Sequence, residues 1–513
     1  MSGVTSSLST KDAPAPLTPR IPTIVLVGLA GLTVLRVVIA AALPLGDDET
    51  FYWEWSRHLA AAYVDHPPAI AFLVWLATRL GGSTPLAIHS VAILFSLATS
   101  LALWVLAREV LGRDAAATGA VILFNLIPVF SVGAVLAAPD SPLGLCWTLT
   151  LLWAWRAAGH DSAHAQVRPW LAAGVWLGLA LESKYTAAVL PFCLGLWLGL
   201  SPRHRTWLSR PEPYYGLAVA AALFGPVIWW NATHRWASFS FNALVRPAWA
   251  EGGNFPVFLL FQFTYLAPLM FPVLLWALAV AARRGLARQD PWLFLAAVSV
   301  PLIAAMFAAS LVGHIKGHWA APAYVTAAVA LAGLATERPW GVRPGVWRGA
   351  AAAVLGTTAV ITLAIQTIPV LGAPFLPTRL DPTVDYYGWP QAAREISAVA
   401  VRDARGPFFV TSEQYQLVAQ FDFATGGRYP VTTITGIDQY AFWTRWGDLR
   451  GRDGLFIVDA RYLYDVDLTE GCRTVQPEAP VPIVRRGVVV RELGLVWCRD
   501  FSGRPITPHR RRQ

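Results

Sequence analysis

The chain has 513 residues, of which 55% are hydrophobic, 12% aromatic and only 14% charged, with a net charge of +9. A soluble globular domain carries about 25% charged residues, so this composition, with a mean hydropathy of +0.48, excludes a soluble chain and points to a polytopic membrane protein. The positive charge does not signal nucleic acid, because the basic residues fall in short loops between apolar runs, where they report topology.

Residues 1–20 are polar and Pro-rich and read as a disordered tail. The apolar run at 22–45 is longer than the apolar core of a signal peptide and is expected to stay as an uncleaved span. The stretch "GDDETFYWEWSRHLAAAYVDHPPAIAF" follows, with Asp47, Asp48, Glu49 and Glu54 in a chain otherwise sparing of charge. Its segment 49–60 is amphipathic, with Phe51, Trp55, His58, Leu59 and Ala62 on one helical face. The apolar run at 68–80 is too short to span. The two segments are therefore read as helices lying along the membrane surface.

Further spans are expected near 84–107, 115–136, 142–158, 169–184, 186–201, 214–232, 256–281, 290–312, 318–336 and 347–369, each near the roughly 20 residues a bilayer core demands. Alternate loops hold Arg108/Arg113, Arg156/Arg168, Arg203/Arg205/Arg210, Arg283/Arg284/Arg288 and Arg338/Arg343/Arg348. By the positive-inside rule those loops face the cytoplasm. Eleven spans then put the N-terminus inside and the C-terminus outside. Arg36, inside the first span, faces either a cavity or an internal carbonyl.

Beyond 370 the pattern changes. "GPFFVTSEQYQLVAQFDF", "RYPVTTITG" and "GLFIVDARYLYDVD" alternate apolar and polar residues between Gly and Pro breaks, as short strands do, and "WPQAAREISAVAVRDA" reads as a helix. The expected division is a tail over 1–20, a transmembrane domain over 21–370 and a small extracytoplasmic α/β domain over 371–513. Cys472 and Cys498 lie in the last, where an oxidising compartment permits a disulfide. Cys146 and Cys193 sit in apolar runs and read as packing residues.

The loops opposite the arginines carry the chemistry. A carboxylate at a helix start often serves only as a cap, and Asp47 suits that role. Asp48, Asp65, Asp140 and Lys184, however, gather at one membrane face, where charge is costly and marks function. A carboxylate there can act as general base or hold a divalent metal with water. In "VLAAPDSPLGL", Asp140 sits at the outer end of a span, where it could also cap the next one. In "LALESKYTAAVLP", Lys184 either pairs with Glu182 or meets an anionic phosphate. Arg246, in a long outer loop, is a second phosphate clamp. "GHIKGHWAAPAY" adds His314, Lys316 and His318. The H-x-x-x-H spacing resembles a helical zinc pair, but Gly317 and the loop setting argue against one.

"DDETFYWEWSRHLAAAYVDHPPAIAFLVWLATRLGG", "APDSPL", "LESKYTAAVLP", "IWWNATHRWASFSF" and "GHWAAPAY" together resemble, in order, the landmarks of glycosyltransferase family 39, over roughly residues 22–330. The resemblance implies the GT-C fold and an integral-membrane transferase. Such an enzyme takes a sugar from a polyprenyl-phosphate carrier and hands it, with inversion, to a lipopolysaccharide, glycolipid or protein acceptor. Asp48 and Glu49 match the Asp-Glu pair of the family's first outer loop and are expected, with Asp140, to be the catalytic residues, Asp48 as base. Asp140 matches the acidic residue of the second and would position acceptor or metal, so a divalent ion between Asp48 and Asp140 stays open. Lys184 matches a phosphate-contacting lysine. His66 stands where the lipid A aminoarabinose transferases carry a lysine, and either donates to phosphate when protonated or fixes Asp65. With Arg246 it completes the donor-phosphate set. Tyr52, Trp55, Asp65 and His318 are assigned to acceptor positioning. The competing reading is a transporter or flippase for a lipid-linked sugar, although no inverted repeat supports it. A third makes 380–513 a binding module, for which ten further spans are too many as an anchor.

Overall fold

The computed structural model describes residues 20–159, 163–337, 344–371, 383–436, 438–459, 464–485, 487–506 and 509–510. The expected tail, apart from Arg20, and the junction at 372–382 lie outside them.

The apolar runs form helices in the expected order. They are α1 (Thr23–Ala42), α2 (Asp47–Arg57), α3 (Ala69–Gly81), α4 (Pro85–Leu111), α5 (Asp114–Leu126), α6 (Pro128–Gly133), α7 (Asp140–Gly159), α8 (Ala163–Ser183) and α9 (Leu190–Leu200). After them come α10 (Glu212–Thr233), the single turn α11 (Ala237–Ser240), α12 (Phe255–Leu266), α13 (Met270–Leu286), α14 (Asp290–Ser310), α15 (Ala321–Glu337) and α16 (Pro344–Leu371). Among the described residues, six helices are individually long and apolar enough to cross a membrane, and α12 with α13 makes a seventh, bent by 95°. The protein is a multi-pass membrane protein.

Sequence explains the breaks. Ala267 turns into the left-handed region at φ 69° just before Pro268, and the residue preceding a proline is driven out of the helical region. Ile127, before Pro128, likewise leaves the helical region between α5 and α6, but into extended backbone at ψ 128°. Small residues set the close helix approaches: a Cβ on Gly174 of α8 would lie 2.1 Å from the carbonyl oxygen of Gly216 on α10.

The arginine-rich loops gather at one end of the bundle. Arg113 (2.6 Å) and Arg284 share the Glu337 carboxylate, and Arg156 forks onto Glu109. Arg36 is buried in α1 and donates to Ser96 Oγ (3.2 Å) and Asn125 Oδ1 (2.9 Å), so side-chain oxygens, not a backbone carbonyl, hold it.

The C-terminal unit adds α17 (Trp389–Asp403) and α18 (Tyr415–Thr425) to strands β1 (Phe408–Ser412), β2 (Val431–Thr433), β3 (Asp453–Val458), β4 (Tyr464–Asp465), β5 (Cys472–Arg485), β6 (Val488–Phe501) and β7 (His509–Arg510). Five strands form one sheet in the order β2-β1-β3-β6-β5, with β1 parallel to β2 and β3 and the rest antiparallel. Cys472 and Cys498 are joined by a disulfide.

One expectation fails here. "QYQLVAQFDF" is not strand but α18. Its apolar residues are dense because both faces are covered: Leu417 and Phe421 pack on the sheet, while Val418 and Ala419 pack with Phe51, Trp53 and Trp55 of α2. A helix buried on two sides loses the one-sided stripe that identifies it.

Candidate active site

The N-terminus of α2 is built by its acidic run. Gly46, not Asp47, is the cap residue, and Glu49 Oε2 reaches back to accept the Gly46 N–H at 3.0 Å, the reciprocal half of a capping box. Glu49 Oε1 accepts from Ala137 N (2.7 Å) and meets His89 Nδ1 (3.0 Å). Glu49 is thus buried with both oxygens engaged, and it fixes the start of α2 against α4 and the loop before α7. It does not line the cavity described next, which corrects its expected place in the catalytic set.

A cavity of about 540 Å³ opens beside α2 and runs down between α4, α7, α12, α15 and α16. Its upper end carries Asp48, Tyr52, His66, Asp140, Lys184, Arg246, Lys316 and His318, and its lower walls are apolar, with Phe124, Phe130, Leu143, Val325 and Ile365. Eight polar side chains from five separate stretches of sequence therefore meet at one mouth. Asp48, Tyr52, His66, Asp140, Lys184, Arg246 and His318 are all site residues expected from the sequence; Lys316 carries no role there.

The charges are arranged in two groups. Lys184 Nζ donates to both oxygens of Asp140, at 2.8 and 2.7 Å, so its partner is Asp140 and not Glu182. Arg246 is delivered by a π turn, Phe241–Val245. Asn242 in that turn donates to the carbonyl oxygens of Val64 (3.1 Å) and Asp65 (3.0 Å), tying the loop to the DHPP segment. Arg246 then donates to Asp65 O (3.3 Å) and lies 3.4 Å from His66 Nε2 through both terminal nitrogens. Burial, and then the Arg246 guanidinium, push the His66 imidazole well below its ordinary value. It is neutral and accepts from Arg246, which corrects the expectation of a protonated phosphate donor. Asp65 contributes its backbone carbonyl to this loop; burial raises its carboxyl, against the opposing pull of Arg246.

Trp55 is corrected as well. Its ring is fully buried and stacks on Tyr63 at 4.2 Å, with Phe51 and Tyr52 edge-on, so it is core beneath α2 and not a surface for acceptor. A divalent ion between Asp48 and Asp140, left open by the sequence, fits these residues poorly. Among the described residues no three His, Cys, Asp or Glu side chains group as metal ligands, and the Lys184 ammonium already covers both Asp140 oxygens.

Sequence reading missed the contribution of the C-terminal unit. Tyr415, at the start of α18, donates its hydroxyl to Asp48 Oδ1 at 2.9 Å and stacks on Phe51 at 4.3 Å. Gln420 donates to Asp47 Oδ1 and to Leu45 O, both at 3.0 Å, and Arg57 meets Asp422 at 2.5 Å. An aromatic start to a segment taken for a strand offered no signal of this.

Residues 65–230 match the family model of dolichyl-phosphate-mannose-protein mannosyltransferases. The chain is 27% identical over 312 residues to the lipid A galacturonosyltransferase RgtD of Rhizobium johnstonii, a match spanning 58% of this chain and 63% of that relative. Its fold is similar to that of ArnT from Cupriavidus metallidurans, solved bound to undecaprenyl phosphate, with a TM-score of 0.62 at 16% identity over 92% of this chain and 98% of that one. The archaeal oligosaccharyltransferase AglB of Archaeoglobus fulgidus matches at a TM-score of 0.51 and 14% identity, over 79% of this chain and 64% of that one. The resemblance to glycosyltransferase family 39 is thereby borne out, on the GT-C membrane fold.

Proposed function

We propose that the cavity is the site of an inverting glycosyl transfer from a polyprenyl-phosphate sugar to an acceptor at the outer face of a bacterial inner membrane, with the N-terminus cytoplasmic and the C-terminal unit periplasmic. The observation that carries this reading is the cavity's polarity: two carboxylates and three cationic side chains at the mouth, above apolar walls that suit a polyprenyl tail. Asp48 takes the proton of the acceptor hydroxyl as its oxygen attacks the anomeric carbon. The bond from that carbon to the phosphate oxygen breaks on the opposite side, and its electron pair leaves with the polyprenyl phosphate. Lys184, Arg246 and Lys316 stabilise the charge developing on that phosphate. Tyr415 holds Asp48 Oδ1, and among the described residues nothing bonds Oδ2, which is the oxygen left to receive the proton. Tyr52 and His318 line the same mouth, where the acceptor must enter. Glu49, Asp65 and His66 act as positioning residues, the first on α2 and the others on the Arg246 loop.

The transferred group is a hexosyl or pentosyl unit. The name of the curated relative favours a hexuronic sugar and a lipid A acceptor, and the solved neighbour bound to undecaprenyl phosphate favours a donor of that carrier class. The test uses purified protein in nanodiscs with radiolabelled polyprenyl-phosphate sugars and extracted envelope lipids, comparing wild type with Asp48→Asn. Label should reach a lipid or protein only with wild type. Equal transfer by both removes Asp48 as base. Saturable lipid binding with no transfer from any donor favours a transporter.

A further inference from the structure

Lys316 stands apart from the other two cations of the cavity mouth. Lys184 is matched with both oxygens of Asp140. Arg246 is held only by uncharged acceptors, Asp65 O, Asn242 Oδ1 (3.1 Å) and His66 Nε2, so its charge is left for the ester phosphate. Among the described residues, no hydrogen bond or ion pair holds the Lys316 ammonium, and the side chain is accessible from the mouth.

The fold nevertheless fixes where that ammonium starts from. His314 donates its N–H to Pro247 O at 2.6 Å, which ties this loop to the residue after Arg246. Asn254 clasps Ile315, accepting its N–H at 3.0 Å and donating to its carbonyl oxygen at 3.1 Å. Gln262, buried and accepting from the Tyr324 hydroxyl at 3.0 Å, donates to Gly317 O at 2.9 Å. A Cβ on Gly317 would lie 2.5 Å from that of Phe261, so only glycine lets the loop approach so closely. The backbone is thus held immediately before and after Lys316, while its side chain is left without a protein partner. A cation delivered in this way by a rigid support is built for a ligand.

Its surroundings narrow what the ligand is. The Lys316 charge interacts with Arg246, which faces the phosphate, and with Asp48, the proposed base. In a glycosyl transfer the sugar must lie between those two groups, so Lys316 stands beside the sugar. A carboxylate there would be the ammonium's charge-assisted partner. A cationic sugar finds no such partner. Asp140 is covered by Lys184, both Glu49 oxygens are engaged away from the cavity, Asp65 does not line it, and Asp48 keeps Oδ2 for the proton. An attraction to one sugar and a repulsion of the other both sharpen selection.

We propose, resting on the glycosyl-transfer reading, that Lys316 selects the donor: it takes a carboxylate on the transferred sugar and turns away a sugar that carries an ammonium. The same ammonium still reaches the phosphate. In a pyranuronate the carbon that bears the carboxylate is joined to the anomeric carbon through the ring oxygen, so the two anionic groups share one edge of the ring.

Three undecaprenyl-phosphate donors that share one hexose ring and differ only in its exocyclic group, carboxylate, hydroxymethyl or aminomethyl, are compared in nanodiscs with extracted envelope lipids as acceptor. All three carry the same phosphate ester, so a loss of phosphate stabilisation divides out of their kcat/KM ratios. Wild type should favour the carboxylate over the hydroxymethyl donor by about tenfold or more, and should use the aminomethyl donor least. Lys316→Gln should bring the first ratio close to unity, and Lys316→Arg should keep it. Lys316→Glu should reverse the order of the carboxylate and aminomethyl donors. Ratios unchanged in Lys316→Gln overturn the proposal, leaving the ammonium to the phosphate or the acceptor, and so does a wild type that favours the aminomethyl donor. If wild type transfers none of the three sugars, the transfer reading fails. The same ratios, taken from dissociation constants by calorimetry in those nanodiscs, then decide whether Lys316 reads the sugar.

Discussion

The Tyr415 hydroxyl donates to Asp48 Oδ1 at 2.9 Å across 367 residues of sequence. The proposed base is therefore oriented by the C-terminal unit and not by the membrane bundle that carries it. A hydrogen bond to a charged acceptor contributes about 1.5–3 kcal/mol, and each 1.36 kcal/mol on a barrier is about tenfold in rate. Tyr415→Phe keeps the ring on Phe51 and removes only the hydroxyl. It should lower kcat by about tenfold or more with donor KM little changed, whereas Asp48→Asn should cost about 10²–10⁴-fold. Unaltered kcat in Tyr415→Phe would free Asp48 from this partner.

Lys184 is nearly enclosed, and both its hydrogen bonds go to Asp140. Removing one partner of such a pair leaves an uncompensated charge, at a cost of about 3 kcal/mol. Asp140→Asn should lower Tm for that reason. A bound phosphate would then supply the missing counter-charge, so undecaprenyl phosphate should raise Tm more in Asp140→Asn than in wild type, through preferential binding to the folded state. An equal or smaller rise would place the phosphate away from Lys184.

His66 Nε2 faces both terminal nitrogens of Arg246. The aminoarabinose transferases, which the sequence resembles near DHPP, have lysine at this position. In this chain a His66→Lys ammonium would sit against the Arg246 guanidinium. Donor binding should fall by tenfold or more in His66→Lys and recover in part in His66→Lys/Arg246→Gln, where the clash of charges is gone. His66→Gln, which keeps an acceptor, should stay near wild type. Because burial and Arg246 hold the imidazole neutral, donor binding between pH 5 and 8 should show no His66 step. Full function in His66→Lys alone would show that the loop carrying Arg246 does not need this contact.

The membrane half was legible because hydropathy and arginine placement are one-dimensional signals: each of the eleven expected spans is helical. The spans 115–136 and 256–281 are each broken near a proline, however, and among the described residues only six helices, or seven with the bent pair, are long and apolar enough to cross. The polar residues between spans converge as the landmarks implied. What failed were matters of which way a side chain turns. Glu49 and Asp48 are adjacent, yet successive residues on a helix point about 100° apart, so one meets the cavity and the other a wall of Ala137, His89 and Gly46. Trp55 shares its stripe with Phe51, and both are buried because α18 covers a face that sequence assigned to the membrane surface. That cover was invisible because α18 read as a strand. Tyr415, Gln420 and Asp422, spaced to address α2, could be recognised only once its helical phase was known.

Asp47 links this interface to pH. Burial, and then the Asp385 carboxylate, push its carboxyl up to about 7, with the Gln420 hydrogen bond and Arg491 opposing. A folded-state value above the unfolded one, about 3.9, means that the folded protein binds this proton more tightly. Stability from this group therefore falls as pH rises from about 4 and levels off above about 7. Asp47→Asn has no proton to lose. The Tm difference, variant minus wild type, should be smaller at pH 5 and larger and positive at pH 8, measured by scanning fluorimetry in the same nanodiscs. A difference that stays constant across that range would mean that Asp47 ionises alike in the folded and unfolded chains and that the contact of α18 with α2 does not depend on its proton.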